Sequence, residues 1–423
     1  HGTPLEERVI ANQIDLITCG DLVVEIDHVV AQPQFAQDAL SEQLAAAGVL
    51  PMFGFPTQQR SLYSTPPDPG GEHDGVVSQR PLAQAVSSFS PGSEVTKDHE
   101  IHTAAGFVAF EQGRGARSMN IVDALSAQHE VDVCGGCQAL SVISSAKPHS
   151  DICRVCGQSQ AAVTLVQPLG FRTDGEPRDY DNRDDSGAML GPVRLAWEPA
   201  AATPWESIGG GRVTRLQDAQ IFVVNDNQGQ LFLCEKEPDG PWKGSWVVRT
   251  DSTAAQVAQE EPSVTAAQRV AIGAIRTTDA LALEVASPRV RGRHCDLSMG
   301  SENNYGLLAA YWSFAELLRI AGTERLGVGR QELLVTLQPC RSAGTGKLTR
   351  RVIALDSLDN GAGYSSQLGQ AEEIVAALES ICNEIAPRLG APRHSAVCDG
   401  SCPDCLRSYD NRALHPYLNW RLG

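Results

Sequence analysis

Eight residues in two tight groups have the types and spacing that chemistry needs. Cys134, Cys137, Cys153 and Cys156 stand at C-x2-C-x15-C-x2-C spacing, and Gly135, Gly136 and Gly157 let the backbone fold closely around sulfur. This is the four-thiolate zinc-ribbon pattern. Two such pairs together favour a metal over a redox dithiol, although an iron–sulfur cluster uses the same ligand set. Near the C-terminus, Cys398, Cys402 and Cys405 follow C-x3-C-x2-C spacing, with His394 four residues ahead. Three thiols and an imidazole this close can meet at one tetrahedral zinc. Proximity favours His394 as the fourth ligand; Cys382 and His415 are the alternatives. The tail around them holds few large apolar residues, so a metal is what gives it a reason to fold. The expected cofactor is therefore zinc at two sites, used for rigidity.

The same tail resembles a known family. The run from Cys398 to Asn411, followed by His415-Pro-Tyr-Leu-Asn-Trp-Arg-Leu422, is similar to the end of the zinc-binding domain C-terminal to many bacterial superfamily-2 helicases. That domain occurs in mitomycin-repair-type helicases and in anti-phage systems such as DISARM and Druantia. Ile353–Tyr364 resembles its strand and glycine turn, and Thr277–Leu281 its opening strand. Leu50–Thr57 and Leu169–Asp174 look like the linking region of the same defence helicases. The resemblance implies a DNA-related role, with a helicase motor domain or subunit as partner. It does not imply ATPase activity in this chain.

A motor would need a phosphate-binding loop. The nearest candidate, Gly344-Thr-Gly346-Lys347-Leu348-Thr349, has Arg341 where the first glycine of G-x4-G-K-[ST] belongs and Leu348 where a hydroxyl should hold magnesium. It also sits between two expected strands, so it reads as a hairpin tip. That hairpin carries Arg341, Lys347, Arg350 and Arg351 with no acid between them, which suits phosphate contact or strand separation. A second basic loop holds Arg289, Arg291 and Arg293. Arg407, Arg412 and Trp420 flank the C-terminal metal and offer phosphate contacts and a stacking surface; alternatively Trp420 caps the core and the arginines pair with Asp404 or Asp410. The glycine turn Asp356–Tyr364 precedes a helix and reads either as an anion site or, the favoured alternative, as a plain strand–turn–helix connection. Over 172–185, Asp174, Glu176, Asp179, Asp181, Asp184 and Asp185 mix with three arginines. Such a cluster could hold Mg²⁺ for a nuclease, but a solvated, salt-bridged loop is the reading preferred here.

Composition limits the partners. The formal net charge of −17 over 423 residues argues against a chain coated for nonspecific DNA binding, so any DNA contact must use local basic patches. Seven of the twelve cysteines lie in the two clusters, as expected for metal binding in a reducing cytoplasm. Cys19, Cys234, Cys295, Cys340 and Cys382 read as small, reduced core residues. No apolar run is long enough to span a membrane. The chain opens on His rather than Met and reads as a fragment.

The elements that must position these groups follow from periodicity. Strand character appears around Asp21–Ile26, at Ile101–Glu111, and in short runs at 162–167, 193–197, 221–224, 231–235 and 246–249, with Asn225–Gly229 as a hairpin-like turn. A helix is expected over Gln34–Ala47. Val270–Val285 reads as a strand or strand pair, Tyr305–Ala321 as the clearest helix, and Gln331–Leu337 with Val352–Leu355 as paired strands. Gln367–Leu389 reads as a helix stopped by Gly390, and Ala413–Leu422 as a closing helix. The expected fold class is α+β and multi-domain. Its parts are an N-terminal α/β linking region (1–128), a zinc ribbon (129–157), a mainly β region (158–268) and a C-terminal α/β zinc-binding domain (269–423). The function expected is a non-motor, zinc-stabilised part of a superfamily-2 helicase in anti-phage defence, holding the motor and helping to form the DNA path. Alternatives are a scaffold subunit that binds a helicase without touching DNA, and a Mg²⁺-dependent nuclease built on 172–185.

Overall fold

The computed structural model describes residues 26, 28, 59–68, 75–112, 119–125, 127–180, 194–197, 204–249, 267–286, 289–290, 293–294, 296–299, 304–342, 345–358, 361–408 and 410–423. The helix expected at Gln34–Ala47, residues 21–25 of the strand character expected over Asp21–Ile26, and Cys19 and Cys295 lie outside them, while Ile26 is helical, against that expectation. The chain divides into two compact units, His1–Arg60 and Ser61–Gly423, and the second holds both cysteine clusters.

This unit is α+β and hangs on one long strand, Gln268–Val285. Its burial is almost continuous, as expected of a strand covered on both faces, where strict polar alternation is not needed. Gly211–Asn225 runs antiparallel along it from Gly211↔Val285 to Asn225↔Ile272, with a register irregularity between Leu216 and Ala219. Gln160–Val166 joins it in parallel at Ala271↔Leu165. Leu348–Asp356 joins antiparallel at Ala280↔Leu355 and forms a hairpin with Leu333–Arg341. Gln128–Cys134 pairs in turn with Gln160–Val166. The strands bearing the ribbon cysteines and the basic hairpin are thus both anchored to Gln268–Val285. The turn after Asn225 differs from the expected hairpin. It is a short 3-10 segment, Asn227–Gly229, and the strands on either side both pair with Gln268–Val285.

The helix Tyr305–Leu326 starts where the Asn304 side chain accepts the Leu307 amide at 3.1 Å and stops at Gly327, whose φ of 69° suits a left-handed cap. It outruns the expected end at Ala321. Gly322 is a packing requirement: a Cβ there would meet Leu368 Cδ2 at 2.6 Å. Tyr311, Ala315, Leu318 and Ala321 of this helix pack with Leu281, Leu333, Val352 and Ile374 into the largest core, which also takes in Cys398, Cys405 and Leu418.

Two helical expectations are corrected. The helix expected over Gln367–Leu389 begins later and is not uniform: a short helix Tyr364–Leu368 precedes Ala371–Ser380, which runs through a π turn at Ile381–Ile385 into Ala386–Gly390 and ends at Gly390 as expected. Pro387 has no amide to donate, and the wider turn just ahead of it accommodates that loss. Cys382 lies on this π turn and is exposed, because Ile381 and Ile385 take the inward positions; Cys234 and Cys340 are buried as expected. The closing helix Ala413–Leu422 is only a 3-10 turn, Arg412–Leu414, followed by turns. Pro416 breaks the amide ladder after one turn. Hydrogen bonds pin the rest: the Asn419 amide donates to Ser313 Oγ at 2.8 Å and the Trp420 amide to the Gly400 carbonyl at 2.9 Å.

Candidate metal centres

The ribbon site grows from strand Gln128–Cys134, which delivers Cys134 to a turn, and from the turn after Ile152, which delivers Cys153 and Cys156. Cys134 Sγ lies 3.5 Å from Cys156 Sγ, and Cys137 Sγ lies 3.7 Å from Cys153 Sγ. A zinc bonded to four sulfurs at about 2.3 Å has sulfur–sulfur edges of about 3.8 Å, so these spacings fit a closed ZnS4 centre. The Cys137 amide points at Cys134 Sγ and the Val155 amide at Cys153 Sγ, the donors that stabilise thiolate. Burial opposes ionisation of Cys134, yet the amides of Cys137 and Gly136 and the thiol of Cys156 bring its pKa down to about 7. His149, in the loop between the two knuckles, bridges the buried Asp132 at 2.5 Å and Asp151 at 3.1 Å. Those hydrogen bonds, to Asp132 first, raise the His149 pKa above 6.5 and clasp the loop to the strand that carries Cys134.

The C-terminal site gathers His394, Cys398, Cys402 and Cys405, with the candidate donor atoms within 4.8 Å of one another. Cys402 Sγ is 3.4 Å from His394 Nε2 and 3.6 Å from Cys405 Sγ. His394 Nδ1 lies 2.8 Å from the Leu389 carbonyl and donates to it, which leaves Nε2 with the lone pair a metal needs. The alternatives are placed elsewhere. His415 Nε2 donates to the Ser408 carbonyl and Asn411 Oδ1, both at 3.0 Å, and Cys382 is exposed on its π turn. Both clusters are compatible with zinc, and neither leaves a position open for substrate, which is the difference between structural and catalytic zinc.

Behind the second cluster lies a buried ionic knot that the sequence analysis missed. Arg319 Nη1 sits 2.7 Å from Asp410 and 3.5 Å from Glu316, while its Nε donates to the Arg330 carbonyl. Arg330 in turn donates to the Cys405 carbonyl at 2.9 Å. Burial pushes the Glu316 carboxyl up, and Arg319 opposes that shift. The signal was available: two opposite charges three residues apart on the buried side of an apolar helix need each other.

The candidate DNA contacts separate into several environments. Arg341 donates to the Gly346 carbonyl at 3.0 Å, and Lys347 pairs with Asp296 at 2.8 Å across the hairpin while staying 57% exposed. Lys347 is the main reason Asp296 lies well below the usual carboxylate range. Arg351 pairs with Glu284 at 3.2 Å and lies over the Trp205 ring. Arg350 is half-buried, with its Nε enclosed. Arg289 and Arg293 belong to a small two-stranded ladder, Arg289–Val290 with Arg293–His294, whose side chains lie outside the described residues, as does all of Arg291. Arg407 donates to Ser401 Oγ at 2.9 Å, not to Asp404 or Asp410, and Arg412 is exposed. Trp420 packs edge-on to His394 with 5.6 Å between ring centroids and donates to the Cys398 carbonyl, so it buttresses the metal site.

In the acidic stretch, Asp181, Asp184 and Asp185 lie outside the described residues, while Asp174, Glu176 and Asp179 are exposed. Arg172 leaves the loop and is buried against Glu237 at 2.6 Å. Asp356 answers the question of the glycine turn. Its own carboxylate takes the amides of Ala362, Tyr364 and Ser365 at the start of the next helix, the place an external anion would need.

No family model matches the chain. The chain is 23% identical over 423 aligned residues to the Druantia protein DruE of Escherichia coli (strain UMEA 4076-1), an overlap of 92% of this chain and 22% of DruE. The resemblance read from the tail is borne out by that match and by the two assembled clusters. The chain thus spans about a fifth of the length of this curated relative. Among solved structures, the DUF1998 helicase MrfA bound to DNA overlays with a TM-score of 0.38 at 9% identity, covering 88% of this chain and 35% of that one. A second structure of the DUF1998 helicase MrfA overlays with a TM-score of 0.31 at 8% identity, covering 99% of this chain and 47% of that one. No helix among the described residues is long and apolar enough to cross a membrane.

Proposed function

We propose that this chain is the zinc-stabilised, non-motor portion of a helicase-type anti-phage defence protein, or a partner subunit of one, working in the cytoplasm. The observation that carries the proposal is the match to DruE across nearly the whole chain, joined to two closed four-ligand clusters. Zinc bound at the ribbon by Cys134, Cys137, Cys153 and Cys156, and at the tail by His394, Cys398, Cys402 and Cys405, would supply rigidity without catalysis. The chain would hold the motor on its zinc-braced body and offer DNA a narrow basic track. The hairpin tip at Arg341 and Lys347, the ladder at 289–294 and the exposed Arg412 are the surfaces for phosphate. Lys347 can exchange Asp296 for a phosphate at little cost, since exposed ion pairs contribute about 0–1 kcal/mol.

The double substitution Arg341→Ala/Lys347→Ala tests the track by fluorescence anisotropy on single-stranded DNA at several salt concentrations. Two lost phosphate contacts should lower the log–log salt slope on single strands by about 1.4 and weaken binding on every sequence alike. An unchanged slope would remove the hairpin from the DNA path. The acidic net charge favours a second reading, a scaffold without DNA contact. A pull-down that recovers a helicase, from a chain whose DNA binding is undetectable, would select it.

A further inference from the structure

Arg350 occupies an unusual place for a guanidinium. It lies on strand Leu348–Asp356, where side chains two residues apart share a face. Leu348, on that face, packs against the cluster formed by Cys134, Cys137 and Cys153. The Arg350 Nε is buried with no hydrogen-bond partner, and no carboxylate lies within ion-pair distance of Arg350 among the described residues. The two acids that share its small polar cleft are engaged elsewhere: Glu284 by Arg212 and Arg351, and Asp296 by Lys347. Burial presses the Arg350 guanidinium toward its neutral form, and the titratable groups that oppose this are Cys137, Cys340 and Tyr311. Of these, Tyr311 is already bonded to Thr349 and the Leu297 carbonyl, and Cys137 is one of the four clustered ribbon cysteines.

A half-buried cation whose enclosed Nε has no partner and which has no counter-ion is costly, and a zinc held by four thiolates carries a net charge of −2. We infer that Arg350 is the cationic partner of the ribbon metal centre, a positioning residue that balances the anionic zinc–thiolate cluster and locks the basic hairpin onto it. This rests on the reading of the ribbon as a zinc site. The centre and the hairpin then form one unit: metal occupancy sets the seat of Leu348 and Arg350, and hence the pose of the tip bearing Arg341 and Lys347. Arg350 accordingly faces metal, not nucleic acid.

The test is chelator competition on the full chain. Arg350→Gln removes the charge and Arg350→Lys keeps it, while the C-terminal centre serves as an internal reference. Variants Cys137→Ser and Cys405→Ser assign the two release phases. Arg350→Gln should weaken zinc binding at the ribbon about 10-fold or more, the scale on which outer partners act on metal affinity. Arg350→Lys should recover most of that loss, and release from the C-terminal centre should not change. Equal ribbon affinity in Arg350→Gln and wild type, or a Lys variant as weak as Gln, overturns the inference. A wild-type ribbon that binds no zinc overturns the metal reading beneath it, a separate and recognisable result. If Arg350→Gln does not fold, the Arg350 Nε–H resonance of the wild-type chain is followed while zinc is added back. A shift that tracks ribbon occupancy supports the inference, and a resonance indifferent to it overturns the inference.

Discussion

Replacing Cys405 with serine is expected to release one zinc and to unfold the chain from about His394 onward. Cys405 is 1% exposed, lies 3.6 Å from Cys402 Sγ and 3.9 Å from Cys398 Sγ, and its sulfur takes the Cys402 amide at 3.1 Å. The tail it organises has little else to hold it. After Ser395 the only regular element among the described residues is the single turn Arg412–Leu414, and Leu418 and Trp420 pack into the core beside Cys398 and Cys405. Structural zinc contributes about 10–16 kcal/mol of apparent binding free energy in small domains, and a whole domain is stable by about 5–15 kcal/mol. Loss of this centre should therefore cost a large share of the unit's stability, at least about 5 kcal/mol. Limited proteolysis should cut the variant after Arg393, and thermal unfolding should begin well below that of the wild type. A variant that keeps two zinc ions and wild-type protease resistance would show that Cys405 is not a ligand.

The second large effect is expected at Asp356. Its carboxylate is fully buried and accepts the amides of Ala362 and Ser365 at 2.7 Å and of Tyr364 at 3.0 Å. Gly361 and Gly363, with φ of 71° and 80°, allow the chain to curl around it. The Asp356 carbonyl takes Thr278 Oγ1 and Arg276 Nη2, tying the turn to the long strand. Asp356→Ala strands three backbone donors, that of Ser365 buried, which were satisfied by one fully buried charged acceptor, at a cost of about 3–5 kcal/mol. Asp356→Asn keeps one acceptor oxygen and should lose about half of that. Denaturant unfolding measures both, and an alanine variant within about 0.5 kcal/mol of wild type, the range of ordinary surface changes, would contradict the account.

The sequence was informative where spacing alone carries the chemistry. Cys134, Cys137, Cys153 and Cys156 assemble as their spacing requires, and so do Cys398, Cys402 and Cys405 with His394. The helix from Tyr305 and the hairpin Leu333–Arg341/Leu348–Asp356 follow from periodicity and turn residues. What periodicity missed depends on long-range partners. Nothing local distinguishes Arg350, whose Nε is enclosed without a partner, from Arg341, which stays exposed at the tip; the neighbouring Leu348 packs on the cysteines, a contact made through the tertiary fold. The hairpin holds no acid of its own, yet Asp296 reaches Lys347 from a distant loop. The choice among His394, Cys382 and His415 turned on where a second hydrogen bond fixes each ring, and on a π turn that propensity does not foresee. The tail looked helical because its residues favour helix, but Pro416 and the metal loop settle its path.

The most direct measurement is elemental analysis of the purified chain with the single variants Cys137→Ser and Cys405→Ser. Two zinc ions per polypeptide, with one lost in each variant, is the result expected from two independent closed centres. A folded chain free of metal would contradict the account at its base.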